Sequence, residues 1–154
     1  MSLQVYKDPK EDCFRSAVLL HVYRYWQGKC DGDRLPARSQ IAPGDMVPAL
    51  PHLMLVDVEG DDAFRFRLIG TSIVEHVGRD ATGTLLQETY VGDDFKELVK
   101  DYQYVRDERR PCLTVNSIRL DSEPKPLEYR RLLLPLSRDG DKVDMILGVM
   151  QFLD

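Results

Sequence analysis

Three cysteines and three histidines are the side chains best suited to chemistry, but their spacing predicts no shared site. The cysteines stand too far apart for a metal knuckle or a disulfide framework. The histidines also lack the short, regular spacing of metal ligands. We therefore expect no metal, free reduced thiols, and no joint role for the residues concerned: Cys13, Cys30, Cys112, His21, His52 and His76.

The glycines and hydroxyl residues form no catalytic motif either. Gly78 and Gly83 match neither the phosphate-binding loop nor the dinucleotide-binding fingerprint. No serine or cysteine stands in a nucleophile motif with a base that the sequence places beside it. The sequence therefore predicts no phosphate-loop, dinucleotide-binding or nucleophile chemistry.

Composition and charge exclude two classes of partner. The chain has 154 residues and a formal net charge of −5, with acidic and basic residues interspersed. Its densest basic group, Arg106, Arg109 and Arg110, is interrupted by Asp107 and Glu108, unlike a nucleic-acid-binding face. No apolar run approaches the roughly 20 residues of a membrane helix, and no signal peptide opens the chain. We expect one cytoplasmic domain that binds neither nucleic acid nor membranes.

A helix is predicted over residues 13–27, with Asp12 as its N-cap and Gly28 at its end. Its apolar residues cover more than one face, so the helix needs two surfaces to bury against. Either it crosses the core of its own domain, or one face packs on the domain and the other on a second copy of the chain. The second alternative predicts a homodimer through Phe14, Val18, Val22, Tyr25 and Trp26.

The remaining elements predict an α+β fold. Residues 43–50, framed by prolines, are expected to form a short helix. Strands follow over residues 53–59 and 64–69, a short helix over 72–77 and a long helix over 93–108. Three more strands are expected over residues 112–120, 127–136 and 143–152. This order predicts a five-stranded antiparallel sheet with helices on one face, residues 51–154, after a helical extension, residues 1–50.

Several short motifs occur in an order that resembles one known family. They are Leu50-Pro51-His52-Leu53, Phe64-x-Phe-Arg-Leu-x-Gly-Thr71, Gly78-Arg-Asp-x-Thr-Gly83 and Glu128-Tyr-x-Arg-Leu-Leu-Leu-Pro-Leu136. Together they resemble a PAS domain, the sensory α+β module of bacterial signalling proteins. The likeness is greatest to a PAS-like family, mostly alphaproteobacterial, whose members carry an N-terminal helical extension.

The resemblance implies a regulatory module without catalysis, in which the sheet curves around a cavity closed by the short and long helices. A small molecule in that cavity, or a protein partner, shifts how the flanking helices pack. In similar domains the inward face of the fourth strand holds the second, fourth and sixth residues before its terminal proline. On that basis the expected lining is Phe66, Leu68, Ile73, Val77, Leu98, Tyr102, Tyr129, Arg131, Leu133, Ile146, Gly148 and Met150.

Arg131 is the charged member of this expected lining, and a buried guanidinium has to be paired. Its partner is either an acidic side chain of the protein or the carboxylate or phosphate of an anionic ligand. A planar donor fork suits both kinds of partner. The sequence leaves both alternatives open.

Two cofactors of similar domains are not expected. Haem-binding members commonly take an axial histidine from the long helix, and residues 93–108 contain none. His76 on the short helix is expected to be structural. Flavin photosensors of this fold carry Gly-Arg-Asn-Cys after the short helices, where this chain has Gly83-Thr84-Leu85-Leu86. Cys112, at the start of a strand, does not replace the missing thiol.

Two other functions remain as alternatives. One is a protein-interaction or dimerisation module with a filled core and no ligand. The other is a cone-shaped α+β barrel enzyme of the ketosteroid-isomerase type, with Asp57 or His76 as the base. Because the chain carries no kinase, cyclase or DNA-binding sequence, its output is expected in trans or through dimer contacts. It stops at Asp154, so it is expected either to be truncated there or to work alone.

Overall fold

The computed structural model describes residues 2–90, 92–118 and 124–153. The predicted end of one strand at residues 119–120, the following turn at 121–123 and Asp154 lie outside the described residues. Six strands are present: β1 (Ser2–Lys7), β2 (Leu53–Val58), β3 (Phe64–Ile69), β4 (Cys112–Ile118), β5 (Leu127–Leu136) and β6 (Met145–Leu153). They form one antiparallel sheet in the order β1-β4-β5-β6-β2-β3. The predicted α+β fold is confirmed, with one strand more than expected.

The additional strand is β1, which the sequence did not predict. Half of its six residues, SLQVYK, are polar, so its pattern alone does not mark a strand. Its place is defined by pairing with β4, from Ser2 opposite Asn116 to Lys7 opposite Cys112. This pairing puts β4 inside the sheet, between β1 and β5.

The helices that follow β3 cover one face of the sheet, as predicted, and the helix of the N-terminal extension covers the other. They are α1 (Ala17–Lys29), α2 (Thr71–Val77), α3 (Leu86–Thr89) and α4 (Gly92–Glu108), with 3-10 turns at Pro43–His52. Adjacent residues of a strand point to opposite faces. Gln151 of β6 accepts a hydrogen bond from Ser16 at the start of α1, whereas Arg131, opposite Met150, contacts Asp101 of α4. We call the α1 side the outer face and the α4 side the inner face.

The first helix starts later than predicted. Its N-cap is Ser16, whose hydroxyl accepts a hydrogen bond from the backbone N–H of Leu19 at 3.2 Å. Asp12 lies in a separate 3-10 turn, and Arg15, with φ of 49°, separates that turn from the helix. The helix also continues through Gly28 to Lys29. None of the helices in the described parts of the chain is long and apolar enough to cross a membrane.

The apolar stripe of α1 is buried against its own domain. Val22 and Trp26 of α1 are buried, as is Phe14 just before the helix, and the Trp26 indole donates a hydrogen bond to the Pro135 carbonyl at 2.9 Å. Three of the five residues predicted to meet a second copy are therefore unavailable, and that part of the prediction is wrong. Eight buried residues of the predicted N-terminal extension belong to the same core cluster as the sheet: Phe14, Leu19, Val22, Trp26, Leu35, Ile41, Met46 and Ala49.

Candidate functional site

A small cavity lies on the inner face, between the sheet, α2, residues 79–90 and α4. Its volume is about 30 Å³. A buried water needs roughly 10–15 Å³ on this measure, so the space accommodates only a few non-hydrogen atoms. The lining residues are Met54, Phe66, Ile69, Ile73, Val77, Arg79, Ala81, Thr89, Tyr90, Tyr102, Arg131 and Met150.

Half of the residues expected from the sequence line this cavity. The six that do are Phe66, Ile73, Val77, Tyr102, Arg131 and Met150. Five others are buried or sit in the sheet without reaching the cavity: Leu98, Tyr129, Leu133, Ile146 and Gly148. The twelfth, Leu68, is 46% exposed, and its predicted inward orientation is wrong.

A β-bulge explains the error at Leu68. Val56 of β2 pairs with Phe66, but the preceding Leu55 pairs with Leu68, so β3 carries one extra residue, Arg67. An extra residue reverses the alternation of side chains beyond it. Leu68 consequently points to the outer face, and Ile69 takes its place in the cavity wall.

Met54 replaces Gly148 as the lining residue at the junction of β2 and β6. The two residues pair across the strands. A Cβ atom on Gly148 would lie 2.6 Å from the terminal methyl group of Met54. The missing side chain of Gly148 therefore makes the room in which Met54 packs over the sheet.

Arg131 forms a buried ion pair with α4. Its guanidinium NH2 group donates to the carboxylate Oδ2 of Asp101 at 2.6 Å, and the hydroxyl of Thr114 donates to the same oxygen at 2.8 Å. All three residues are buried. The faces of the Tyr102 and Tyr129 rings lie near the guanidinium carbon, with centroids at 5.3 and 5.7 Å. Of the two kinds of partner considered for Arg131, an acidic side chain of the protein is the one that the structure contains.

One donor of Arg131 remains unpaired. Its Nε atom is buried and has no hydrogen-bond partner among the described residues. Tyr90 and the exposed Arg79 line the same cavity. Burial raises the pKa of the Tyr90 phenol to about 12, against the smaller opposing effect of Arg131 and Arg79, so the phenol stays protonated. Donors therefore dominate the polar part of the wall.

Sequence reasoning missed Asp101, Arg79 and Tyr90. Asp101 carried a signal, because it lies three residues after Leu98 and directly before Tyr102, within the apolar stripe of the long helix. An acidic residue at such a position is a candidate partner for a buried cation. Arg79 and Tyr90 lie in loops around α3, where no periodicity predicts which way a side chain points.

The residues considered for other chemistry lie away from the cavity. His76 stacks on Phe152, with ring centroids 4.4 Å apart, and its Nδ1 lies 2.7 Å from the Ser72 carbonyl oxygen. Asp57 accepts a hydrogen bond from Arg67 at 3.2 Å. Burial raises the pKa of the Cys112 thiol to about 11, so that it is protonated at neutral pH. The described residues contain no group of three or more histidine, cysteine or acidic side chains that could hold a metal ion.

A wider concavity of about 910 Å³ lies where the end of α4 meets two strand turns. Its arginines are largely engaged by the protein itself. Arg106 donates to the Asp107 carboxylate and the Gly60 carbonyl. Arg109 donates to the carbonyl oxygens of Asp33 and Asp141 at 2.6 and 2.7 Å. These bonds tie α4 to the neighbouring loops, and the concavity has the character of a structural junction.

Comparison with known proteins gives a family and a fold. Residues 14–151 match the family described as PAS domain. The PAS domain of Bordetella pertussis BvgS is 18% identical, with a TM-score of 0.54 over 70% of this chain and 82% of that chain. The Rhodobacter sphaeroides LOV protein is 19% identical, with a TM-score of 0.54 over 66% of this chain and 58% of that chain. A light-oxygen-voltage domain studied with a flavin analogue is 11% identical, with a TM-score of 0.56 over 72% and 83%. The search of curated proteins gave no match.

Proposed function

The chain belongs to the PAS domain family, a family of sensory modules, and from this premise we propose that it is a regulatory input domain. Its input is the state of the inner-face cavity, which a small molecule occupies. Its output is a change in how α4 packs on the sheet, without a catalytic step. We further propose that it works in the cytoplasm, with its thiols reduced.

The observation that carries this proposal is the double role of Arg131. The side chain lines the cavity and also holds α4 through Asp101, at 2.6 Å. A molecule that draws the guanidinium toward the cavity competes with Asp101 for the same group. The contents of the cavity are therefore coupled to α4 through one buried contact, which is the kind of differential interaction a conformational signal requires.

We propose that the ligand is neither flavin nor haem. One light-oxygen-voltage neighbour was studied with a flavin analogue, but its identity to this chain is only 11%. Sites for drug-sized ligands span roughly 300–1,000 Å³, ten times or more the 30 Å³ of this cavity. Gly83-Thr84-Leu85-Leu86 also lacks the thiol of the photosensors that this fold resembles. These features favour a much smaller ligand.

A second candidate function is a dimerisation module with a filled core. The small volume of the cavity and the internal pairing of Arg131 favour it. Val18 and Tyr25 of α1 are partly exposed and remain candidates for contact with a second copy. Sedimentation velocity across micromolar concentrations tests this candidate directly, since it requires a dimer in the absence of any ligand.

The test of the proposed function combines a metabolite panel with hydrogen exchange of α4. Ala81 lies in the cavity wall, so Ala81→Val narrows the cavity without touching either arginine. Ala17→Val makes the same change at an exposed site on α1 and serves as the matched control. Because the ligand competes for the contact that holds α4, we expect a binder to speed exchange in α4 of wild type and of Ala17→Val but not of Ala81→Val. A panel without binders, together with unchanged α4 exchange in Ala81→Val, would refute the proposal.

A further inference from the structure

We propose that the cavity binds a short monocarboxylate, of the size of acetate or propionate, between Arg131 and Arg79. This inference rests on the proposed function and names the chemical class of its ligand. Three independent features of the wall lead to it: the net charge, the arrangement of donors, and the small apolar volume beside them.

The charged residues at the cavity leave one net positive charge, which a ligand with one negative charge balances. None of its described lining residues is acidic, and two, Arg79 and Arg131, are cationic. Asp101, outside the lining, neutralises Arg131. One positive charge, that of Arg79 at the exposed edge, is then left without an ion-pair partner in the described parts of the chain. A monoanion balances this charge, whereas a dianion would bring an uncompensated charge into a buried site.

The donors suit a carboxylate. The unpaired Nε of Arg131 is a buried N–H on a side chain that lines the cavity, so a ligand there supplies the acceptor that this N–H lacks. A guanidinium presents its N–H groups in one plane, and a carboxylate accepts from such a fork with both oxygens. Tyr90 adds a phenol that remains a donor at neutral pH. A neutral amide of the same size would place an NH2 group against these donors.

The remaining residues of the cavity wall determine the size of the ligand and the apolar character of its tail. Met54, Ile73 and Met150 are apolar and line the same space. Methyl or ethyl groups beside the carboxylate would contact these side chains. The volume of about 30 Å³ leaves no room for a longer chain without displacement of the wall. Acetate and propionate therefore fit better than inorganic oxyanions, which lack the tail, or than larger acids.

The experiment is an NMR titration of the ¹⁵N-labelled chain with sodium acetate and sodium propionate, against sodium chloride at equal ionic strength. Acetamide is the neutral probe of matched shape, and inorganic phosphate is the anion without a tail. We expect saturable shifts at the cavity for the two carboxylates and none for acetamide or phosphate. Arg131→Lys keeps a cation beside Asp101 but removes the fork, and should weaken binding about tenfold or more.

A matched pair of variants tests the second arginine. Arg79→Gln should weaken binding by up to about fivefold, because its charge is exposed. Arg67→Gln removes the same charge from the outer side of β3, where Arg67 bonds Asp57, and should leave binding unchanged. Ala81→Val should abolish binding by narrowing the cavity. Thermal unfolding of each variant separates a loss of binding from a loss of fold.

The outcomes distinguish the two proposals. If another class of small molecule binds in the cavity and is lost in Ala81→Val while acetate and propionate do not bind, this inference is wrong and the proposed function stands. If carboxylates bind equally well to wild type, Arg131→Lys and Ala81→Val, binding is adventitious and the inference is wrong. If no molecule of the panel binds and α4 is unaffected by Ala81→Val, both proposals are wrong and the filled-core module remains.

Discussion

Replacement of Asp101 by asparagine is the sharpest test of the structure. The side chains of Arg131 and Asp101 are 3% and 10% exposed, and their ion pair measures 2.6 Å. Asp101→Asn keeps the shape of the acceptor but leaves a buried guanidinium without a counter-charge. Removing one partner of a buried pair costs about 3–5 kcal/mol. For a chain of this length each 1 kcal/mol shifts the melting temperature by about 2–4 °C, so we expect a drop of about 6–20 °C.

The assay is thermal and urea unfolding of wild type, Asp101→Asn and a matched control. Asp107→Asn makes the same change on the same helix, in an exposed pair with Arg106, and should cost less than about 1 kcal/mol. The double variant Asp101→Leu with Arg131→Met should recover most of the loss, because no buried charge remains. A loss for Asp101→Asn as small as that for Asp107→Asn would contradict the buried, ion-paired Arg131 described above.

Three further predictions concern the acid stability, the bulge and the buried thiol. Two backbone N–H groups and a hydroxyl of the β5–β6 turn donate to Asp139 and lower its pKa from 3.8 to about 2. The Asp139 carboxylate therefore stabilises the fold above about pH 4. In urea unfolding, the stability difference between wild type and Asp139→Asn should shrink as the pH falls from 4 toward 2. Leu68→Ala should cost less than about 1 kcal/mol because Leu68 is 46% exposed, whereas Phe66→Ala should cost about 3–5 kcal/mol; equal losses would contradict the bulge. Cys112 is fully buried and its pKa is raised to about 11, so alkylation followed by mass spectrometry should modify it only after unfolding; rapid labelling of the native chain would argue against this burial.

The sequence predicted the elements whose pattern is long and regular. The stripe of α4 and the runs of β5 and β6 carry enough apolar residues to define both their type and their inward face. The inward position of Arg131 followed from its place before Pro135 in a pattern that resembles a known family. The choice between an internal and an external partner did not follow, because it depends on which helix residue lies across the core.

The missed features share one physical cause: each is decided by contacts between segments that are distant in sequence. β1 is a strand only because β4 offers it a backbone partner, and the bulge at Arg67 appears only in the register of β2 against β3. Met54 on the neighbouring strand packs over Gly148 and lines the cavity in its place. The local sequence pattern does not encode such contacts. For this reason only six of the twelve residues predicted for the cavity wall line the cavity.

The energetics of the Arg131 pair also bear on why a charged group occupies the centre of this core. A buried ion pair is seldom more stable than apolar residues of the same volume, so stability alone does not account for it. Here one N–H of the same guanidinium is left unpaired beside a cavity whose described lining contains no acidic residue. Thr114 donates to the same Asp101 oxygen at 2.8 Å, which holds that carboxylate in place, whereas the Nε of Arg131 has no described partner. We expect the double variant Asp101→Leu with Arg131→Met to be about as stable as wild type but to lose the coupling between the cavity and α4. That result would show that the ion pair serves the response to a ligand, because apolar side chains would fill the core equally well.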